Sequence, residues 1–142
     1  MTAVSKSPRI IVALDYASAA PALDLISGLD PKTCRLKVGK EMFTRLGPTF
    51  VEKLVGQGFD VFLDLKYHDI PNTVAKAAIE ACKLRVQMFN VHALGGLEMM
   101  QKTVEEVDAY CASAGIERPI MLAVTILTSS TEETLRGVGI DR

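Results

Sequence analysis

Apolar and polar positions along this chain fall into blocks whose period switches between that of a strand and that of a helix. Short apolar runs at residues 10–14, 34–38, 59–65, 87–91 and 120–125 read as strands. The first is apolar without a break, the pattern expected of a strand buried on both faces. Between these runs lie stretches of helical spacing at 18–29, 48–56, 72–84, 96–114 and from 131 to 136. Ser18 is placed to cap the first helix, and Gly56 and Gly58 to stop the second. A short connector separates the second strand from Pro48, with Lys40 and Glu41 as a solvated helix start. Ala75, Ala78, Ile79 and Cys82 line one face of the third helix, and Gly115 ends the fourth. Thr131 precedes the last helix but is followed three residues later by Thr134, not by the acid of a capping box.

Regular strand–helix alternation predicts a parallel sheet with right-handed crossovers. An open doubly wound sheet and a (β/α)8 barrel both satisfy it. The turn after the first strand, Asp15-Tyr16-Ala17, is not glycine-rich, which speaks against a dinucleotide-binding sheet. Polar residues recur instead at the C-terminal ends of the strands: Asp15, Lys37, Asp64 with Lys66, His92, and residues 125–128. Barrel active sites lie at that end. The expected fold class is therefore α/β, a (β/α)8 TIM barrel of which about five β/α units are present. A barrel takes roughly 200 residues or more, so residues 1–142 are expected to form a single, incomplete barrel domain.

Composition narrows the function classes. The net charge is −1, from 16 basic and 17 acidic residues. That balance favours neither nucleic acid nor an anionic membrane surface. No apolar run approaches the ~20 residues of a membrane span, and residues 1–9 lack the apolar stretch of a signal peptide. Cys34, Cys82 and Cys111 are far apart and without CxxC spacing, as expected of buried, reduced thiols in a cytoplasmic protein. No zinc pattern and no glycine-rich phosphate loop is present in the sequence, and no metal or cofactor is expected.

The chemistry concentrates in Asp64-Leu65-Lys66-Tyr67-His68-Asp69-Ile70-Pro71-Asn72-Thr73. Three ionised groups sit at the end of a buried strand, and burying charge is costly unless the charges pair or react. Asp64 and Lys66 are two apart and point to one side of the strand. Lys37 ends the neighbouring strand, Asp69 follows the strand end, and Pro71 suits a first helical turn. Alternating Lys and Asp on adjacent strands keeps a lysine charged despite burial, and a held ammonium is a general acid. The carboxylates would also oppose an anionic group on a substrate. A structural salt-bridge network explains a lone Asp-x-Lys pair equally well. The full set of Asp15, Lys37, Asp64, Lys66 and Asp69 favours a catalytic cluster. His68 reads as a loop histidine, His92 as site-lining or structural, Tyr67 as packing or rim, and Met99, Met100 and Met121 as core.

Val12-Ala13-Leu14-Asp15, Leu36-Lys37-Val38-Gly39, Phe62-Leu63 with the ten-residue run, Asn90-Val91-His92-Ala93 and Ala123-Val124-Thr125-Ile126-Leu127-Thr128-Ser129 together resemble the bacterial type of the orotidine 5′-phosphate decarboxylase family. The matches run in order across essentially the whole chain. The resemblance implies decarboxylation of orotidine 5′-monophosphate to uridine 5′-monophosphate in pyrimidine biosynthesis, by a homodimeric barrel without metal or organic cofactor. It implies that Lys66 protonates C6 as carbon dioxide leaves, and that Asp64 lies near the substrate carboxylate. Lys37 would belong to the same network and contact the ribose region, and Asp15 would bind a ribose hydroxyl. Residues from Asp64 through Leu65, Tyr67, His68, Pro71 and Asn72 to Thr73 fall in the substrate-binding set, with Thr128 close to the base. Asp69, Ile70 and Thr73 would reach the partner's site, making each site shared.

The chain departs from the family pattern in three places. The phosphate-gripping loop of the later strands is absent from this sequence. Remote phosphate contacts supply binding energy used at the reacting carbon, so the 142 residues alone are expected to be inactive or nearly so. Arg85 stands where glycine is usual, and Leu94 where serine is usual. Two other readings remain: a magnesium-dependent sugar-phosphate decarboxylase or aldolase of the same superfamily, and a non-catalytic half-barrel that associates with itself or with a C-terminal piece.

Overall fold

The computed structural model describes residues 8–141. Five strands form one parallel sheet in the order β1-β2-β3-β4-β5. They are β1 (Ile10–Ala13), β2 (Cys34–Gly39), β3 (Val61–Tyr67), β4 (Met88–His92) and β5 (Ile120–Val124). The connecting helices are α1 (Ala19–Ser27), α2 (Lys40–Gly56), α3 (Pro71–Lys83) and α4 (Leu97–Ala114), and α5 (Glu132–Gly137) follows β5. Each crossover steps to the next strand in the same direction. Right-handed crossovers then put α1–α4 on one face, as in a barrel, whereas a doubly wound sheet reverses its order and places helices on both. The fold is the five-unit part of a barrel.

The core lies between sheet and helices. On β2 the buried Cys34, Leu36 and Val38 alternate with half-buried Arg35, Lys37 and Gly39. Leu36, Val38, Val61, Leu63, Phe89 and Val91 pack against Val51, Leu54, Val74, Ala78, Met99 and Val107 of the helices. The opposite face carries the strand-end charges. All three cysteines are free and buried in the helix-side core.

Three sequence expectations need correcting. Residues 10–14 are not buried on both faces. Ile10 is 64% and Ile11 40% exposed, because β1 is an edge strand whose start is left uncovered by the described residues. Residues 40–46 are helical rather than a connector. α2 begins at Lys40 directly after β2, and Gly47 (φ 67°, ψ −169°) with Pro48 breaks it into two segments. Glycine reaches that left-handed φ without steric cost, and Pro48 then starts a fresh turn. Ser18 occupies the N-cap of α1 in extended geometry, but its side chain makes no capping hydrogen bond. Elsewhere the stop and start signals hold. Gly115 closes α4 in the left-handed conformation, and the Thr131 hydroxyl accepts the Thr134 N–H at 3.2 Å to cap α5.

Candidate active site

The strand-end charges meet as one chain of contacts spanning β1 to β4. Lys37 Nζ lies 3.4 Å from Asp15 Oδ1 and 3.4 Å from Asp64 Oδ2. Lys66 Nζ donates to Asp64 Oδ1 at 2.6 Å. The Asn90 amide donates to the same oxygen at 2.7 Å. Asp64, with a side chain 12% exposed, is the hub, while the Asp15 carboxylate at the rim faces solvent. Burial acts to raise the Asp64 pKa. Hydrogen bonds from Lys66 and Asn90, and the charges of Lys66 and Lys37, outweigh burial and hold it below its ordinary value. Asp64 is thus a carboxylate at neutral pH, flanked by two ammonium groups.

Sequence order alone does not produce this geometry. Leu63 pairs with Phe89 and Tyr67 with Val91, so four steps along β3 are matched by only two along β4. The surplus lies at Asp64, Leu65 and Lys66. Such a bulge re-aims the side chains it carries. Lys66 takes a left-handed backbone (φ 52°), and its N–H leaves the strand ladder to donate to the Asn90 side-chain oxygen at 2.8 Å. Non-glycine residues in that region are strained, and such strain gathers at functional positions.

The remaining predicted residues divide. Asp69 does not join the network within this chain. It is exposed, and its Oδ1 accepts the neighbouring Ile70 N–H at 2.7 Å. Pro71 opens α3 at its first position, as expected, with Ile70 before it 67% exposed. Asn72 and Thr73 are exposed on the first turn of that helix. Tyr67 packs against Phe89 with ring centroids 6.2 Å apart. Burial and then the Cys82 charge push its phenol to about 12, which suits packing and not proton transfer near neutrality. Thr128 is exposed in the loop between β5 and α5. Leu65, Lys66, His68, Asp69 and Thr73 border an open cleft of about 450 Å³, together with Lys40 and His92.

Two features escaped the sequence reading. The rings of His68 and His92 come together, centroids 5.6 Å apart. Burial lowers the His92 pKa, helped by His68, Lys40 and Lys66. Among the described residues no group of three or more His, Cys, Asp or Glu side chains is placed to hold a metal ion. The second feature is Asn90, the buried amide that bonds both Asp64 and Lys66. Its signal was present in the sequence: a lone amide in the apolar run Met88-Phe89-Asn90-Val91. Buried polar groups take hydrogen-bond partners.

A parallel β/α-barrel sheet with a Lys–Asp–Lys cluster at its C-terminal edge defines the class of protein. Comparison with known proteins narrows it. The profile of the orotidine 5′-phosphate decarboxylase / HUMPS family matches residues 8–141. Orotidine 5′-phosphate decarboxylase of Pseudoalteromonas translucida is 53% identical over 96% of this chain and 57% of its own length. That of Syntrophotalea carbinolica is 55% identical over 98% of this chain and 57% of its own. The crystal structure of the Lactobacillus acidophilus orotidine 5′-phosphate decarboxylase superposes with a TM-score of 0.84 at 39% identity, covering 96% of this chain and 60% of that one. The chain belongs to the orotidine 5′-phosphate decarboxylase / HUMPS family. It spans 57% of the length of these curated relatives. No helix among the described residues is long and apolar enough to cross a membrane.

Proposed function

We propose that this chain carries the acid–base half of an orotidine 5′-monophosphate decarboxylase site, within a single, incomplete barrel domain. The observation that carries the reading is the unbroken contact chain Asp15–Lys37–Asp64–Lys66 at the C-terminal strand ends. The Asp64 carboxylate faces the substrate carboxylate. As the C6–carboxylate bond breaks, its electron pair stays on C6 and carbon dioxide leaves. The Lys66 ammonium, 2.6 Å from Asp64, then donates its proton to C6 and becomes a neutral amine. Developing negative charge beside two fixed ammonium groups is favoured electrostatically in a partly desolvated site. Asp15 and Lys37 hold the ribose, and Thr128 approaches the base. The product is uridine 5′-monophosphate, and the chemistry uses no metal or organic cofactor.

The same reading makes the enzyme a cytoplasmic homodimer. Asp69, Ile70 and Thr73 are exposed, Asp69 and Thr73 at the border of the cleft, free to extend into a partner's site. Among the described residues Asp69 forms no ion pair, which is consistent with a role in a partner's site.

The test is a chimaera in which residues 8–141 replace the matching part of the Syntrophotalea carbinolica relative. Decarboxylation of orotidine 5′-monophosphate in the presence of a chelator is expected, with loss on Lys66→Ala. Activity only with magnesium, and on a sugar phosphate, would favour the superfamily alternative. The 142-residue chain by itself is expected to turn over little or no substrate, and family-like turnover by it would overturn that part.

A second reading is favoured by the sheet edges. Ile10 and Ile11 on β1, and Ile120 and Leu122 on β5, are all 40% exposed or more. Open apolar edges recruit further strands, so the chain would act as a half-barrel that associates with itself or with a C-terminal piece. Sedimentation of the purified chain separates this reading from a monomer.

A further inference from the structure

Asn90 stands opposite the β3 bulge, between the two residues of β4 that keep their pairing, Phe89 and Val91. It is 2% exposed. Among the described residues its side chain makes two hydrogen bonds, and both go to the acid–base pair. Nδ2 donates to Asp64 Oδ1 at 2.7 Å, and Oδ1 accepts the Lys66 backbone N–H at 2.8 Å. Lys66 Nζ shares the same carboxylate oxygen at 2.6 Å.

These contacts solve two problems created by the bulge. The surplus residues of β3 leave the Lys66 N–H without a ladder partner, and an unpartnered buried amide is costly. The left-handed backbone at Lys66 is also unfavourable by itself and persists only if its surroundings hold it. One amide side chain satisfies that N–H and fixes the carboxylate toward which Lys66 Nζ points. An aspartate at position 90 would accept from Lys66 but could not donate to Asp64. A leucine would do neither.

We propose that Asn90 is a positioning residue for the proton donor: its amide locks the bulged Lys66 backbone and orients the Asp64 carboxylate, so that the Lys66 ammonium is held in one place. The proposal rests on the reading of Lys66 as the acid. Its test records geometry and titration without turnover, so it can fail while that reading stands, and the chimaera assay can fail while it succeeds.

The experiment is NMR on the full chain. In the wild type the Lys66 backbone amide is expected to be protected from hydrogen exchange, since Asn90 is its acceptor. Asn90→Leu should speed that exchange roughly tenfold and move the Asp64 carboxyl titration upward. Asn90→Asp should keep the Lys66 protection while raising the Asp64 titration further, because a second carboxylate then faces the first. A merely space-filling Asn90 would show no such split. The proposal is overturned if Asn90→Leu leaves both readouts unchanged, or if Asn90→Asp loses the Lys66 protection as fully as Asn90→Leu. Should the variants fail to fold, the wild-type amide decides: exchange as fast as in an exposed loop also overturns it.

Discussion

The Lys66 ammonium and the Asp64 carboxylate are two residues apart on one strand and meet at 2.6 Å, with the backbone at Lys66 in the left-handed region. Charge and strain are thereby combined at one residue. Substitution can separate them.

Lys66→Gly and Lys66→Ala both remove the ammonium, but only glycine relaxes the φ of 52°. Lys66→Gly is expected to be more stable than Lys66→Ala by about 1 kcal/mol. Urea denaturation of both variants measures the difference. Equal midpoints would mean that the backbone at Lys66 is not strained.

Asp64 is held below its ordinary pKa of 3.8. A carboxylate whose pKa is lower folded than unfolded binds fewer protons in the native state. It therefore stabilises the fold above its unfolded pKa, and that contribution disappears as pH falls through the lower folded value. Thermal melts should lose stability on acidification below about pH 4, and Asp64→Asn should flatten that part of the curve. A variant with the wild-type slope would assign the acid sensitivity to other carboxylates.

Arg85 also has a left-handed backbone, with φ 59°, at the end of α3. It is exposed and forms no salt bridge among the described residues. Arg85→Gly should stabilise the chain by about 1 kcal/mol, since relief of strain outweighs the added freedom of the unfolded state. The melting temperature would rise by about 3 °C. An unchanged or lower melting temperature would count against it.

Ile70, Leu94 and Leu97 are 67%, 59% and 65% exposed near the segment assigned to a partner's site. Leu94 leaves no polar group at that point of the surface. If two copies meet there, Ile70→Asp should weaken self-association at least tenfold, because a charge would be buried without a partner. Sedimentation velocity over a concentration series reads this directly. Identical profiles for variant and wild type would move the interface elsewhere.

The sequence by itself determined the order and type of the elements, since the switch from continuous apolar runs to helical spacing is a local signal. It also picked out four members of the charge cluster, because Asp15, Lys37, Asp64 and Lys66 mark strand ends and burial makes their cost visible, but it placed Asp69 with them, which the fold leaves outside the network. Other features depend on which strands become neighbours. Only the tertiary structure revealed that β1 and β5 are exposed edges, since an apolar run looks the same covered or bare. Only pairing with β4 revealed the bulge at Asp64–Lys66, since a surplus is defined against a partner strand. Asn90 entered the site for the same reason. An amide 24 residues from Lys66 has no local pattern that names its partners, and the fold brings the three groups within hydrogen-bond reach.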